Sequence, residues 1–396
     1  MRTISLILLM AFAAAGKPSP AERAMERARQ SIDKNPASAE GYNSLAFALA
    51  RRARETADPE YYRKAEDVLK RSFELEKDNF DGRKALAWVM LGRHEFAGAL
   101  KLAQELNREM KDDVMVYGLL ADAHTELGNY REAEEDVQWM LNIGRSSIAG
   151  ITRAAHLREL FGDLEGAMQL MDAAYRRLSP AELEERAWVL THAAHLELLA
   201  GNTAAAEPLL AEALRLFPDY HYAIAKLAKL RAAQGRHKDA AALMRRRYEV
   251  APHPENLHGL AVALEKAGSL REAREFFIDF EAKARAEMNS WDNANRELIF
   301  YYADHASEFE KALDVARREA RRRQDVYTLD AYAWALFRNG QTGEARRQME
   351  RALEVGVRDP ELLKRAEEMG ALSAPVARNG SPESDYRGPR ILDASE

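Results

Sequence analysis

A Gly followed five residues later by an Ala recurs down this chain, and no other feature constrains its fold as strongly. The pair occurs as Gly92/Ala97, Gly128/Ala133, Gly162/Ala167, Gly201/Ala206, Gly235/Ala240, Gly268/Ala273 and Gly340/Ala345. Glu60/Ala65 and Ser307/Ala312 keep the Ala and replace the Gly. Successive turns lie 32 to 39 residues apart, 35 on average, so about nine units cover residues 38–358. A length of 396 residues would otherwise suggest two or three domains. Self-similarity at this period instead implies one quasi-linear stack of small units, each packed on its neighbours.

Each unit reads as two helices. In the third, Val116, Leu120 and Leu127 share one helical stripe, and Tyr117, Ala121 and His124 share another. Gly128-Asn129 breaks the pattern, and Tyr130, Ala133, Val137 and Met140 resume it on a second helix. Glycine is the usual helix stop because it reaches left-handed φ/ψ without a Cβ clash. The recurring Ala has a packing cause, since only a small side chain fits where two helix backbones cross closely. A second small site supports this, seven residues before each turn: Ala85, Ala121, Ala155, Ala194, Ala228, Ala261 and Ala333, with Phe300 as the exception.

These residues resemble the tetratricopeptide repeat (TPR) family, a 34-residue helix–turn–helix with small residues at the crossing points, a turn Gly and a closing Pro. Pro218 and Pro252 stand at the closing position, although several units lack the Pro and most replace the family's Trp and Tyr. The resemblance implies an all-α, right-handed superhelical solenoid with first helices lining a concave groove and second helices forming the convex wall. HEAT repeats, at ~40–47 residues, fit the period less well, and pentatricopeptide repeats lack the Gly-to-Ala spacing.

Residues 17–37 read as an N-terminal capping half-repeat, in which Ala24 and Pro36 repeat the Ala-to-Pro relation. Ser179-Pro180-Ala181-Glu182 reads as a capping box opening the fifth unit. Asp359-Pro360 reads as an N-cap and first-turn Pro, giving residues 359–372 as a C-terminal capping helix. Residues 373–396 are rich in Ser, Pro, Gly and charge and are expected to be disordered. At the other end, Arg2 precedes an uncharged apolar run from Ile4 to Ala15, too short to span a bilayer. With Ala13, Ala15 and Gly16 after it, residues 1–16 have the layout of a secretory signal peptide. Abundant Ala and an excess of Arg over Lys suggest a GC-rich bacterial genome, and hence a periplasmic or secreted protein.

Absent residues narrow the chemistry. With no cysteine, disulfides, thiolate metal sites, cysteine nucleophiles and lipidated cysteines are excluded. No phosphate-binding loop, nucleophile elbow, kinase motif or zinc-protease motif occurs, so the expectation is a non-enzyme without cofactor. The net charge of −6 argues against nucleic acid, and the Arg runs at 245–247 and 317–323 read as solvated ridges on second helices. His192 and His195 form an H-x-x-H, with His156 in the preceding unit and Glu159 and Glu197 near in sequence. The favoured reading is groove histidines without metal, and the alternative is a zinc-dependent hydrolase.

By the resemblance, positions six and nine residues before each turn line the groove. They give Arg153, His156, His192, His195, Lys226 and Lys229, with His258 one residue earlier in its unit. Units eight and nine add Glu297, Tyr301, Asp304, Asp330, Trp334 and Phe337. The expectation is a basic middle groove that receives an acidic segment of a protein or peptide partner, with Tyr301 and Trp334 as aromatic anchors. The Lys, Asn and Arg set by which chaperone-binding TPRs clamp a C-terminal carboxylate is not found in three consecutive units. The alternative is an accessory factor of a cell-envelope assembly or secretion machine that works through its convex face, with peripheral envelope contact and no transmembrane span.

Overall fold

The structure, a computed structural model, describes residues 18–143 and 147–372. The signal-peptide and tail segments lie outside these residues. Among the described residues the chain is all-helical: nine helix pairs stand between one helix at Pro20–Lys34 and one at Pro360–Glu368. In the third repeat the first helix is Val114–Leu127 and the second is Tyr130–Ile143; in the fourth they are Ile148–Leu160 and Leu164–Arg177. No described helix is long and apolar enough to cross a membrane.

The crossing alanines are buried as their spacing requires. Ala121, Ala155, Ala194, Ala228, Ala261 and Ala333 are each no more than 3% exposed, as are Ala133, Ala167 and Ala206 on the second helices. Asp113, Ser147 and Asp325 cap first helices by accepting from backbone N–H groups of the first turn. Ser19 and Glu22 form a reciprocal capping box on the N-terminal helix.

Four local expectations differ from the structure. In the second repeat the left-handed residue is His94, at φ +62°, while Gly92 lies inside the helix Phe80–Gly92. Ala85 is buried as expected, together with Ala87, but on the second helix the buried small residue is Ala99, and Ala97 is exposed. Gly92 is still needed, because a Cβ there would overlap the Tyr62 ring. Second, residues 179–182 form a turn rather than a capping box, and the helix starts at Leu183 with no side-chain cap. Glu182 is drawn instead to Arg51 at 2.6 Å. Third, the unit carrying Phe300 departs from a plain helix: a π-helical turn at Tyr301–His305 follows Asn295–Phe300. Fourth, the Arg runs are not wholly outward. The helix Phe309–Arg322 stops just before Arg323, whose extended backbone turns its guanidinium inward to 6% exposure. Arg247 reaches across its turn to Glu255 at 3.1 Å.

The solenoid winds tightly enough for successive coils to touch. Arg51 and Arg54 of the first repeat meet Glu182 and Glu184 of the fifth. Arg323 pairs with Glu126, and the Tyr130 hydroxyl accepts from the Val326 N–H at 2.9 Å. Gly128 and Gly162 share left-handed backbone with Gly201, Gly235, Gly268 and Gly340 but not their surroundings. A Cβ on Gly128 would lie 2.6 Å from the Gln324 carbonyl oxygen, and one on Gly162 would lie 2.4 Å from that of Gly356. The other four have open space there.

Two stability predictions follow from this packing. Gly201→Ala should lose the ~1–2 kcal/mol of a left-handed L-residue, whereas Gly128→Ala should lose clearly more in the same urea titration because the coils must part. Equal losses would show that the coil contact contributes nothing. Ala155→Leu should lower stability by ~1–3 kcal/mol through overpacking at a helix crossing, which thermal unfolding would register.

Candidate functional site

The inner wall is built from first helices, where the i, i+3 spacing sets two side chains one turn apart on the same face. His156 and Glu159 stand this way on the helix Ile148–Leu160, as do His192 and His195 on Leu183–Leu199. Adjacent packing of the two helices brings all four together. Glu159 is 3% exposed, and its Oε2 accepts from His192 Nε2 at 2.6 Å. His195 Nε2 lies 3.2 Å from Oε1, and His156 Nδ1 lies 3.6 Å from Oε2. Trp188 packs against the His192 ring at 5.3 Å between centroids and holds its orientation.

Burial would raise the Glu159 pKa, but the facing histidines override it and hold the carboxylate well below its usual range. Burial pushes the His195 imidazole down to about 4, and Lys226 adds to the effect. The Glu159 carboxylate outweighs burial at His156 and moves that ring upward.

The remaining predicted groove residues divide into two sets. Arg153 does line the inner wall, but Asp122 takes both ends of its guanidinium, Nε at 2.8 Å and Nη2 at 2.5 Å. Gly118 leaves room for this pair, with the Arg153 guanidinium 3.2 Å from where a Cβ would be. Lys226 and Lys229 make no ion pair among the described residues. Burial brings the Lys226 ammonium down to about 7, with Lys229 acting in the same direction. Lys229 is exposed.

The aromatic end is different from the expectation. Tyr301 and Trp334 are 8% and 6% exposed and belong to the core. The Tyr301 hydroxyl donates to Glu281 at 3.3 Å, and Trp334 Nε1–H donates to Asp304 at 2.9 Å. Asp330 is buried against Arg365. His258 packs on Phe280 with centroids 4.9 Å apart, and burial pushes its imidazole down to about 3. Tyr301 and Trp334 are therefore not free anchors, because Phe277, Phe280 and Glu281 of the preceding repeat take up Tyr301, and Asp304 and Phe337 take up Trp334.

Sequence reasoning missed a set of charges that meet only through winding. A cavity of about 330 Å³ is lined by His94, Glu126, Arg153, His156, Arg296 and Arg323, among others. A second, of about 130 Å³, opens beside Arg54, His94, His253, Glu255 and Asp292. His253 Nε2 is 3.5 Å from Asp292, and burial together with Arg323 pushes the His94 imidazole down to about 4. Such partners lie as far as ~200 residues apart, and no local spacing rule links them.

No protein-family model and no curated relative matches the amino-acid sequence. Solved structures do. The chain is similar to human IFIT1, solved as a dimer with PPP-AAAA, at 14% identity and a TM-score of 0.52 over 84% of this chain and 94% of that one. It is also similar to a chain of the APC/C Cut9–Hcn1 hetero-tetramer, at 13% identity and a TM-score of 0.49, where the match spans 87% of this chain but 58% of the other. A tetratricopeptide repeat protein of Parabacteroides merdae matches at 15% identity and a TM-score of 0.46, over 62% of this chain and 92% of that one. The helix pairs, the buried crossing alanines and the similarity to IFIT1 agree: by fold, this chain is a tetratricopeptide-repeat solenoid.

Proposed function

We propose that the protein is an exported, non-catalytic interaction scaffold that holds an acidic, extended or helical segment of a protein partner on its inner wall. Lys226 and Lys229 carry this reading. They stand three residues apart on the first helix of the sixth repeat, His221–Ala233, with no carboxylate bonded to either. Neighbouring inward cations are already engaged, Arg153 by Asp122, Arg247 by Glu255 and Arg323 by Glu319. Two unpaired like charges on one face destabilise the free protein, and an acidic ligand relieves that repulsion. Because the wall is built from packed helices, capture requires little ordering of the scaffold. Export rests on the Arg2 and Ile4–Ala15 pattern.

A second reading, an accessory factor of a cell-envelope assembly or secretion machine, draws on the convex face. Leu270 and Ile278 are 65% and 60% exposed on the second helix of the seventh repeat, Leu270–Glu287.

Cross-linking with mass spectrometry on the exported fraction separates the two. The pair Lys226→Met and Lys229→Met should weaken partner capture about tenfold, equivalent to ~1.4 kcal/mol, and flatten its salt dependence. It should also leave the melting temperature unchanged or raised, because a buried charge is removed. Unaltered capture by this variant, with loss in Leu270→Asp/Ile278→Asp, would reject the inner wall in favour of the convex face.

A further inference from the structure

The His–Glu cluster does more than line a groove. We propose that His156, Glu159, His192 and His195 form a binding site for one divalent transition-metal ion of the zinc type, joining the first helices of the fourth and fifth repeats. The donor set is the first reason: three imidazoles and one carboxylate are the ligands that borderline cations such as Zn²⁺ select in a protein without thiolates.

Geometry is the second reason. One ligand atom each from His156, Glu159 and His192 lies within 4.8 Å of the other two. A tetrahedral zinc site with bonds of ~2.0–2.2 Å sets its donors ~3.4 Å apart. From Glu159 Oε2, the His192 Nε2 and His156 Nδ1 atoms lie 2.6 and 3.6 Å away and bracket that value. Small rotations of the rings would therefore admit an ion at their common centre. The His156 Nδ1, buried and without a hydrogen-bond partner, is the atom left over when Glu159 alone satisfies the cluster. An ion would take it up.

The surroundings support the same assignment. Trp188 fixes the His192 ring, as an oriented ligand requires. His156 also lines the 330 Å³ cavity, which gives an entry path. Three of these residues offer mutually close donor atoms, and His195 stands beside them against the other Glu159 oxygen. The site thus adds a bond between two repeats already joined by the contacts of Glu159 with His192 and His195. It stands independently of what the inner wall captures.

The test uses the purified full chain. After zinc loading and dialysis, elemental analysis should give one equivalent, and cobalt substitution should give the intense visible bands of a four-coordinate ion. His192→Ala and Glu159→Gln should each reduce zinc affinity by about 100-fold or more, and metal should no longer raise the melting temperature. His156→Ala serves where a buried variant fails to fold, since that side chain is 39% exposed. His237→Ala, outside the cluster, should bind zinc like the parent. Substoichiometric zinc in the parent chain, weak octahedral cobalt bands, or full retention of zinc by His156→Ala and His192→Ala together would overturn the assignment.

Discussion

The rest of this structure depends on the close crossing of helix backbones at alanine. Ala155 on a first helix and Ala167 on the following second helix have no exposed surface. Either position would push the helices apart if it carried a larger side chain, because packed interiors do not absorb extra methylenes freely. Repetition of the same crossing turns a local packing rule into a superhelix, since each repeat adds the same small rotation. The winding is therefore a property of residues that carry no chemistry. Where the rule lapses, at Phe300, a π-helical turn follows immediately.

Winding has a second consequence that a nearest-neighbour stack does not. Apolar cores form between adjacent repeats, but the contacts between coils are polar. Arg54 reaches the fully buried Glu184, which also accepts from the Tyr220 hydroxyl at 2.9 Å. Arg323 pairs with Glu126 at 3.4 Å. Removing one partner from such a group strands a buried charge, a loss that exceeds the net worth of the pair. The seam therefore couples repeats far apart in sequence and makes unfolding more cooperative than independent repeats would allow. It also sets the register of one coil on the next, since Gly128 and Gly162 accept a backbone carbonyl where any side chain would collide.

Much of this architecture is legible in the sequence because it is local. Helix pairs, turn glycines, crossing alanines and the Asp359 cap follow from spacing rules that act within one repeat. Failures are equally specific. His94 takes the left-handed turn that Gly92 was expected to provide, because Gly92 is needed where Tyr62 packs. Tyr301 and Trp334 sit at positions expected to face the groove, and side chains of their own and adjacent repeats bury them. Arg323 lies one residue past a helix end, so helical periodicity does not predict its direction. The His–Glu cluster falls between these cases. Two i, i+3 pairs were visible, but the decisive 2.6 Å contact of Glu159 with His192 depends on how two first helices align.

That alignment explains why the chemistry gathers in the fourth to sixth repeats. The N-terminal repeats pair their inner charges across the coil seam, and the last two repeats bury theirs against Arg338 and Arg365. Between them, Glu159 faces three imidazoles and no guanidinium, and Lys226 and Lys229 have no carboxylate bonded to them. Uncompensated polar groups in a packed interior are costly, and they persist where a ligand completes them. On the two proposals made above, the middle of the coil is the part of this molecule that an ion at the histidines and an acidic segment at the lysines would complete.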